Sequence, residues 1–450
     1  MKLGIIGAGY VGLTTGICLA NLNHKIVIYD TNNEKNEKIK NKKMPFYEKG
    51  LQSILEKTIL SGNLEVTDNV DHVVKNTDGS FVCVGTPTKE NNSIDLSQVL
   101  DAIKSLAQSI KNNQKKDYVI IIRSTVIPNT TKQKILPMLK EIVGKISFGL
   151  CIIPEFLREG QAFDDFMNPD KIVIGSMDEK SNNFAEKIFE HFKNSAKIIK
   201  TNPETAELIK YTNNSFFSML ISFSNEIANI AEKIPSVDSF EVLKALIYDK
   251  RITTKLNGKN VIPDLESYLV PGCGFGGSCF PKDVKAILNY ANSQNIKAPL
   301  LDAILKINDE RPLKMISLAE SILTSLKNKK ITILGLTFKP ETDDLRFSPS
   351  LEAIKLLLEK GAKISAYDPI IKEKLNWNFP VQGFKSCSSI EDSLLESDLV
   401  IVFTKWSEFK SLDGNFLKKF MKKPLIIDGR GFLAKEKFQD GTYYKIGFSN

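Results

Sequence analysis

Two stretches of this chain have the residue types and spacing to do chemistry. The string GAGYVG at 7–12 lies between an apolar run, KLGII, and a helical pattern. That context puts Gly7 in a tight turn, Gly9 under a pyrophosphate and Gly12 where helix packs on strand. KIVIYD follows at the length of one helix and ends in Asp30, whose carboxylate suits the two adenosine ribose hydroxyls and would repel a 2′-phosphate, so NAD is expected over NADP. Lys35, just beyond, reads as a solvated helix residue. The second stretch is PGCGFGGSCFPKDV, where Cys279 stands behind a glycine run and just before a helix begun by Pro281. A sulfur facing a helix N-terminus is stabilised as thiolate, whereas Cys273 nearby reads as a packed thiol. Oxidation of an alcohol only to a carbonyl needs no nucleophile, but continuing to the acid needs one to hold the aldehyde. A dinucleotide turn together with such a cysteine therefore suggests a four-electron oxidation.

The elements that must position these residues follow from periodicity. From residue 2 to about 200, KLGIIG, KIVIYD, LEVTD, FVCVGT, YVIIIRST, FGLCIIP, KIVIGS and AKIIKT alternate with amphipathic stretches, the pattern of a mainly parallel sheet with helices on both faces. After Pro203, ETAELIKYTNNSFFSMLISFSNEIANIAEK keeps helical spacing without glycine or proline, predicting one long helix. A loop is expected from Tyr248 to Pro281, then two helices from Asp283 to about Leu326. At KITILGLTFKP the alternation resumes and continues through KISAYDP, LVIVFT and PLIIDGR. The two ends echo each other: each opens with a strand leading into glycine, Gly7 and Gly335, and each has a later strand ending in Tyr-Asp, at Asp30 and Asp368. The expected fold is α/β, with two Rossmann-like doubly wound domains, 1–200 and 328–450, joined by a long central helix and a helical dimerisation domain, 203–326.

Composition sets outer limits. A chain of 450 residues suits two or three domains. Its net charge of +8 comes from lysines scattered among acids rather than gathered in a block, which disfavours nucleic acid but suits an anionic substrate. Six cysteines from Cys18 to Cys387 show no metal-ligand spacing, Cys18 and Cys83 fall in apolar patterns, and a reducing cytoplasm is the expected setting, with no metal. The opening run is broken at once by glycines and no later stretch approaches a membrane span, so a soluble chain is expected.

With GAGYVG, VGTPT at 84–88, STV at 124–126, PEFLREG at 154–160, AELIKYTNN at 206–214 and GFGGSCFPKD at 274–283, the chain resembles the UDP-glucose/GDP-mannose 6-dehydrogenases across nearly all of its length. That resemblance implies an NAD domain, a helical dimerisation centre and a nucleotide-sugar domain. It further implies oxidation of the sugar C6 hydroxyl to an aldehyde, trapping by Cys279 as a thiohemiacetal, a second oxidation to a thioester, and hydrolysis to the uronic acid.

Lys210 and Asn214, at i and i+4, project from one helix face and can together stabilise an oxyanion on C6, a role the resemblance assigns them; without it they would read as a solvated pair. Glu155 matches the family glutamate that activates water, and Asp283 and Thr125 match residues that position water and assist proton transfer; a helix cap is the plainer reading of Asp283. Glu159 matches a residue on the nicotinamide side, its alternative being a surface pair with Arg158. The cofactor set implied is Gly7, Gly9, Tyr10, Val11, Gly12, Asp30, Lys35, Thr86, Pro87, Thr125, Glu159 and Arg346. Phe338 and Lys339, in GLTFKPETDDLRFSPS, match residues approaching the nucleotide sugar, and the substrate set adds Glu155, Phe156, Leu157, Lys210, Asn214, Arg251, Tyr268, Gly272 and Gly276.

Three departures stand out: a longer stretch between Arg251 and Gly272, Ile153 where a polar residue is common, and Lys171 where arginine is usual. Within the family the loop GFGGSCFPKD, lacking the histidine of relatives that act on UDP-N-acetylhexosamines, favours UDP-glucose, with GDP-mannose open. Outside it, a two-electron hydroxyacid dehydrogenase would share a Lys and Asn pair on a long helix, but Cys279 and the second α/β unit argue against it. A non-catalytic NAD sensor would need none of Cys279, Lys210 and Glu155. A homodimer or higher homo-oligomer is expected by resemblance.

Overall fold

Short β-branched runs with no polar face can be strands only where both faces are covered. The eight runs of the N-terminal part form one sheet of this kind in a computed structural model, which describes residues 1–256, 259–371 and 382–448. The strands are β1 (Lys2–Ile6), β2 (Lys25–Tyr29), β3 (Leu64–Thr67), β4 (Gly79–Val82), β5 (Tyr118–Ile122), β6 (Phe148–Ile152), β7 (Lys171–Ser176) and β8 (Lys197–Thr201). Their spatial order is β3-β2-β1-β4-β5-β6-β7-β8, and every neighbouring pair is parallel except β6 with β7. The order reverses between β1 and β4, the place where doubly wound sheets open a ligand crevice at the strands' carboxyl ends. The helix α1 (Tyr10–Asn21) is buried from Gly12 to Ala20, which is why this stretch carries no polar stripe.

The chain divides into two compact units, Met1–Asn213 and Asn214–Asn450. The 29-residue helix Pro203–Ala231 is common to both. In the second unit the helices Ser239–Ile247, Phe280–Ser293 and Pro299–Leu323 follow it. The stretch expected as loop holds two antiparallel paired strands, β9 (Thr254–Leu256) and β10 (Lys259–Val261), and a 3₁₀ turn, Asp264–Tyr268. β10 is exposed throughout, so no apolar alternation could have marked it. Residues 257–258, inside the long Arg251 to Gly272 stretch, lie outside the described residues, as do 372–381 and 449–450 of the last expected domain.

The second sheet is β11 (Lys330–Leu334), β12 (Lys363–Tyr367), β13 (Phe384–Ser386), β14 (Leu399–Val402), β15 (Ile426–Asp428) and β16 (Tyr443–Lys445), in the order β13-β12-β11-β14-β15-β16 and parallel throughout. Four of these strands are the apolar runs of the sequence. The other two, β13 and β16, are the sheet's edges, three residues each, with FKS and YYK offering no apolar run.

The echo between the two ends is physical. Gly7 N–H donates to Tyr29 O and Gly335 N–H to Tyr367 O, each at 2.8 Å, with φ of +99° and +87° that a side chain would strain. Ala8 N–H donates to Asp30 Oδ2 at 2.7 Å, and Leu336 N–H to Asp368 Oδ2 at 2.8 Å. The two turns then part. α1 starts at Tyr10, whereas the helix after Gly335 begins only at Pro349. Asp368 is fully buried and also accepts from Thr337 N–H, the Thr337 hydroxyl and Trp406 Nε1. A carboxylate so saturated has no capacity left for a ribose.

Near the start of the long helix, Glu207 is 1% exposed. Its Oε1 accepts from Thr131 N–H at 2.8 Å, and its Oε2 has no hydrogen-bond partner among the described residues. Burial pushes its carboxyl up to about 7, against the opposing pull of the Thr131 and Asn129 N–H groups. A raised carboxyl favours the fold fully below the unfolded value, and that contribution is lost as pH rises through about 7. Glu207→Gln should therefore stabilise the fold at pH 8 by an amount on the order of 1 to 3 kcal/mol, seen as a raised thermal midpoint, with the gain shrinking toward pH 5. Thermal melts across that range check it.

Candidate active site

The glycine turn presents a helix N-terminus to any anion in front of it. Gly9 is the N-cap of α1, with no side-chain cap and no acidic residue in the first turn, and a Cβ on Gly9 would meet nothing within 4 Å. A Cβ on Gly12 would lie 1.9 Å from Gly7 O and 2.9 Å from Cys83 Cβ. Asp30 uses Oδ2 for Ala8 N–H and Oδ1 for Asn32 N–H at 2.9 Å. Lys35, expected in solvent, instead pairs with Asp30 Oδ2 at 3.0 Å, because the helix Asn33–Lys40 starts close enough for its first turn to fold back. About four acceptor sites on a carboxylate leave room for a ribose hydroxyl. Open backbone donors for phosphates and an acid for ribose fit a dinucleotide.

The loops that follow β4, β5 and β6 carry the next candidates. Thr86 is buried and Pro87 exposed after β4, and Thr125 is half-buried after β5. Ser124 Oγ donates to Val84 O at 2.7 Å and ties these two loops together. After β6, Glu155 is buried and its Oε2 accepts from Leu157 N–H at 2.6 Å. Lys210 Nζ donates to Glu155 O at 2.7 Å and to Glu155 Oε1 at 2.9 Å, and both side chains are 5% exposed. Burial alone would raise the Glu155 carboxyl, but the Lys210 charge and hydrogen bond, the Leu157 N–H and the Arg123 charge together hold it below the usual carboxylate range. Phe156 lies between two cations, with Lys171 Nζ 4.4 Å and Lys210 Nζ 5.5 Å from its ring centre. Glu159 is buried, and Arg158 pairs with Asp165 at 2.7 Å.

In the second unit Cys279 is the N-cap of the helix Phe280–Ser293, as its place before Pro281 suggested, and Ser278 Oγ lies 3.5 Å from its sulfur. Of the six thiols, five are buried and Cys279 alone is half-buried. Burial pushes Cys83 up to about 12, and Cys273 and Cys387 up to about 11; Cys273 donates to Gly429 O as a packed thiol. Asp283 caps nothing. Its N–H donates to Cys279 O at 2.8 Å, and its buried carboxylate receives Asn214 Nδ2 at 2.6 Å and Lys282 Nζ. Neither member of the Lys210 and Asn214 pair is solvated: each is 4% exposed.

The glycine run before Cys279 is held from its flanks. Gly272 N–H donates to Asn225 Oδ1 at 2.8 Å, and Gly272 O accepts Arg311 Nε at 2.8 Å. Asn308 clamps the Phe275 backbone on both sides, accepting from its N–H at 2.7 Å and donating to its carbonyl at 3.1 Å. A Cβ on Gly276 would lie 2.2 Å from Phe347 O, and one on Gly277 2.7 Å from the Phe338 ring. Phe338 and Lys339 are half-buried, with Lys339 Nζ 5.6 Å from the Phe338 ring centre. Tyr268 packs on Phe217 at 4.5 Å. Arg346 and Arg251 are exposed and fork onto Asp344 and Asp249, and Arg346 O accepts from Gly277 N–H of the cysteine loop at 2.8 Å.

Several groups here carry no mark in the sequence. Arg123, Asn225, Asn308 and Arg311 lie in ordinary strand or helix patterns, with no local signal. Arg123 is buried with its guanidinium 5.8 Å from the Phe81 and Phe166 rings, donating to Thr15 Oγ1 and Ile153 O. Glu48 is a further such group.

A doubly wound sheet with an open glycine turn and an acid beside it, followed by a second Rossmann-like sheet and a half-buried cysteine at a helix start, defines a dinucleotide-dependent oxidoreductase. Models of three domains match the chain in order: the NAD binding domain at 1–193, the central domain at 204–310 and the UDP binding domain at 332–435. The chain belongs to the UDP-glucose/GDP-mannose dehydrogenase family. It is similar to a UDP-glucose 6-dehydrogenase of Rickettsia bellii, 38% identical with 99% of each chain covered, and to one of Bacillus subtilis, 34% identical with 99% of this chain and 93% of that one covered. The structure of a UDP-glucose dehydrogenase from Pyrobaculum islandicum superposes with a TM-score of 0.90 at 32% identity, covering 100% of this chain and 98% of that one. A UDP-D-ManNAc dehydrogenase from Pyrococcus horikoshii gives 0.85 at 28% identity, with 99% of each covered. The cofactor is NAD and the substrate a nucleotide sugar. Among the described residues no helix is long and apolar enough to cross a membrane.

Removing one member of a buried ion pair strands the other. Lys210→Met should cost about 3 to 5 kcal/mol in urea unfolding at pH 8, and adding Glu155→Gln should recover a large part. Because the Glu155 carboxyl is depressed, the pair's contribution is present above the unfolded carboxyl range and fades as pH falls through the folded value. The gap between wild type and Lys210→Met should accordingly narrow in acid.

Proposed function

We propose that the chain oxidises the C6 hydroxyl of UDP-glucose to the carboxylate of UDP-glucuronate by a four-electron route through Cys279. The observation that carries this reading is the position of Cys279: the one thiol of six that is not buried, at the N-terminus of a helix that favours its thiolate. The choice of UDP-glucose rests on the relatives named above and on the histidine-free loop GFGGSCFPKD.

NAD, when bound at the glycine turn beside Asp30, supplies the hydride acceptor for both oxidations. The chain's own part begins when the Cys279 thiolate adds to the aldehyde carbon, forming a C–S bond and leaving negative charge on the C6 oxygen. Lys210 and Asn214, one turn apart on their helix, donate hydrogen bonds to that oxygen. After the second oxidation C6 is a thioester. Water adds to it, the thiolate leaves, and the acid is released. Glu155, kept ionised by Lys210, accepts a hydrogen bond from this water, with Asp283 and Thr125 assisting proton transfer. Glu159 attends the nicotinamide side, Arg346 the cofactor, and Phe338, Lys339, Tyr268, Gly272 and Gly276 the nucleotide sugar.

The same reading divides the chain into an NAD domain at 1–200, a central helical domain at 203–326 and a nucleotide-sugar domain at 328–450, in accord with the order of the matched models. It takes the protein to be a homodimer, supported by Phe216, Phe223 and Ile230, which recur every seventh residue on the long helix and are each more than two-fifths exposed. Six free thiols are in keeping with the cytoplasm.

Wild-type protein should form two NADH per UDP-glucose consumed; a ratio of one with free aldehyde released would overturn the four-electron route. Cys279→Ala should abolish acid formation while NAD still binds, which calorimetric titration would register. Parallel assays with GDP-mannose and UDP-N-acetylhexosamines test the choice of sugar.

A further inference from the structure

Glu48 belongs to no motif above, yet it holds together two parts of the cofactor-binding unit. It lies between the helices Asn33–Lys40 and Leu51–Leu60 and is 4% exposed. Its Oε2 accepts from the Tyr10 hydroxyl at 2.5 Å and from Gly160 N–H at 2.7 Å, and its Oε1 accepts from Ala162 N–H at 2.8 Å. Among the described residues no cation pairs with it. A buried carboxylate is costly unless hydrogen-bonded, and here its donors come from two distant stretches of chain. Tyr10 follows Gly9 and is the first residue of α1, so it moves with the turn that faces the phosphates. Gly160 and Ala162 close the loop that begins at Glu155 and contains Glu159, and Gly160 has a φ of +79° that lets this loop turn back. Phe46 supports the contact, its ring centre 5.1 Å from that of Tyr10.

We infer that Glu48 is a positioning residue that couples the dinucleotide turn, through Tyr10, to the 155–162 loop, so that holding NAD and ordering that loop are one event. Gly160 N–H also donates to the Tyr10 hydroxyl at 3.2 Å, so the two ends meet directly beside the carboxylate that joins them. The substitution Glu48→Gln keeps the volume but exchanges one acceptor for a donor. The amide nitrogen must then face Gly160 N–H or Ala162 N–H, since each carboxylate oxygen serves one of them. The first placement leaves Gly160 N–H only its longer 3.2 Å bond to the Tyr10 hydroxyl and the second leaves Ala162 N–H without its acceptor, so the link weakens at its loop end. Tyr10→Phe removes only the hydroxyl and breaks the same link at its turn end.

The inference extends the proposed function and rests on that reading only for its kinetic arm. Calorimetric titration of NAD into the full-length protein should show affinity weakened about tenfold in Glu48→Gln and about threefold in Tyr10→Phe. The double variant should be no weaker than Glu48→Gln alone, because both changes break one link. With UDP-glucose as substrate, KM for NAD should rise while KM for the sugar stays within about twofold. NAD affinity within about twofold of wild type in both variants, or penalties that simply add, would overturn the coupling. So would a lowered thermal midpoint with unchanged NAD affinity, the mark of a merely structural carboxylate. Should Glu48→Gln fail to fold, Tyr10→Phe with Glu48→Asp replaces it, the shorter acid reaching one stretch at a time and giving the same loss of NAD affinity. If wild type does not reduce NAD with UDP-glucose, the choice of sugar falls, and the NAD titrations still decide the role of Glu48.

Discussion

A lysine ammonium and a glutamate carboxylate, each 5% exposed, cannot be buried apart. The contact between Lys210 and Glu155 therefore constrains where the helix Pro203–Ala231 meets the end of β6, and much of the N-terminal unit follows from it. Lys210 takes both the carboxylate and the carbonyl of Glu155, which fixes backbone as well as side chain. The loop from Glu155 onward thus starts from a rigid point. Arg123, buried against two aromatic rings and bonded to Ile153 O, adds positive charge behind it. An anion held below its ordinary range is ionised throughout neutral pH, which makes Glu155 a constant acceptor more than a strong base.

The two Rossmann-like units show how one backbone plan serves two chemistries. Each has strands in the order 3-2-1-4-5-6 about its first strand, a left-handed glycine after that strand, and an aspartate that accepts from the next N–H. In the first the turn opens straight into a helix, leaving N–H donors for an anion. In the second the helix is delayed to Pro349, and Trp406 and Thr337 take up the aspartate. The difference lies in what fills the crevice, a property of residues far apart in the chain. The cysteine loop shows the same division of labour: its glycines permit a tight path past Phe338 and Phe347, while Asn225, Asn308 and Arg311 hold that path in place.

Features written in consecutive residues are legible in the amino-acid order itself: eight N-terminal strands from β-branched runs, a long helix from unbroken periodicity, a glycine turn with its acid, and a cysteine ahead of a helix. These are local because turns, strand faces and helix faces are set by neighbours within a few residues. The short exposed strands β10, β13 and β16 escape because three residues without apolar alternation carry no such signal. Tertiary packing alone settles which charges meet. Lys35 turns to Asp30, Arg158 to Asp165, Asp283 to Asn214, and Glu48 to Tyr10 and Gly160. Each of the last two pairings spans many residues of chain, and burial forces a polar group to find a partner without prescribing which one. The types of chemistry are therefore determined by the order of residues, and the wiring among the charged groups only by the folded chain, because partner choice depends on distances that periodicity does not encode.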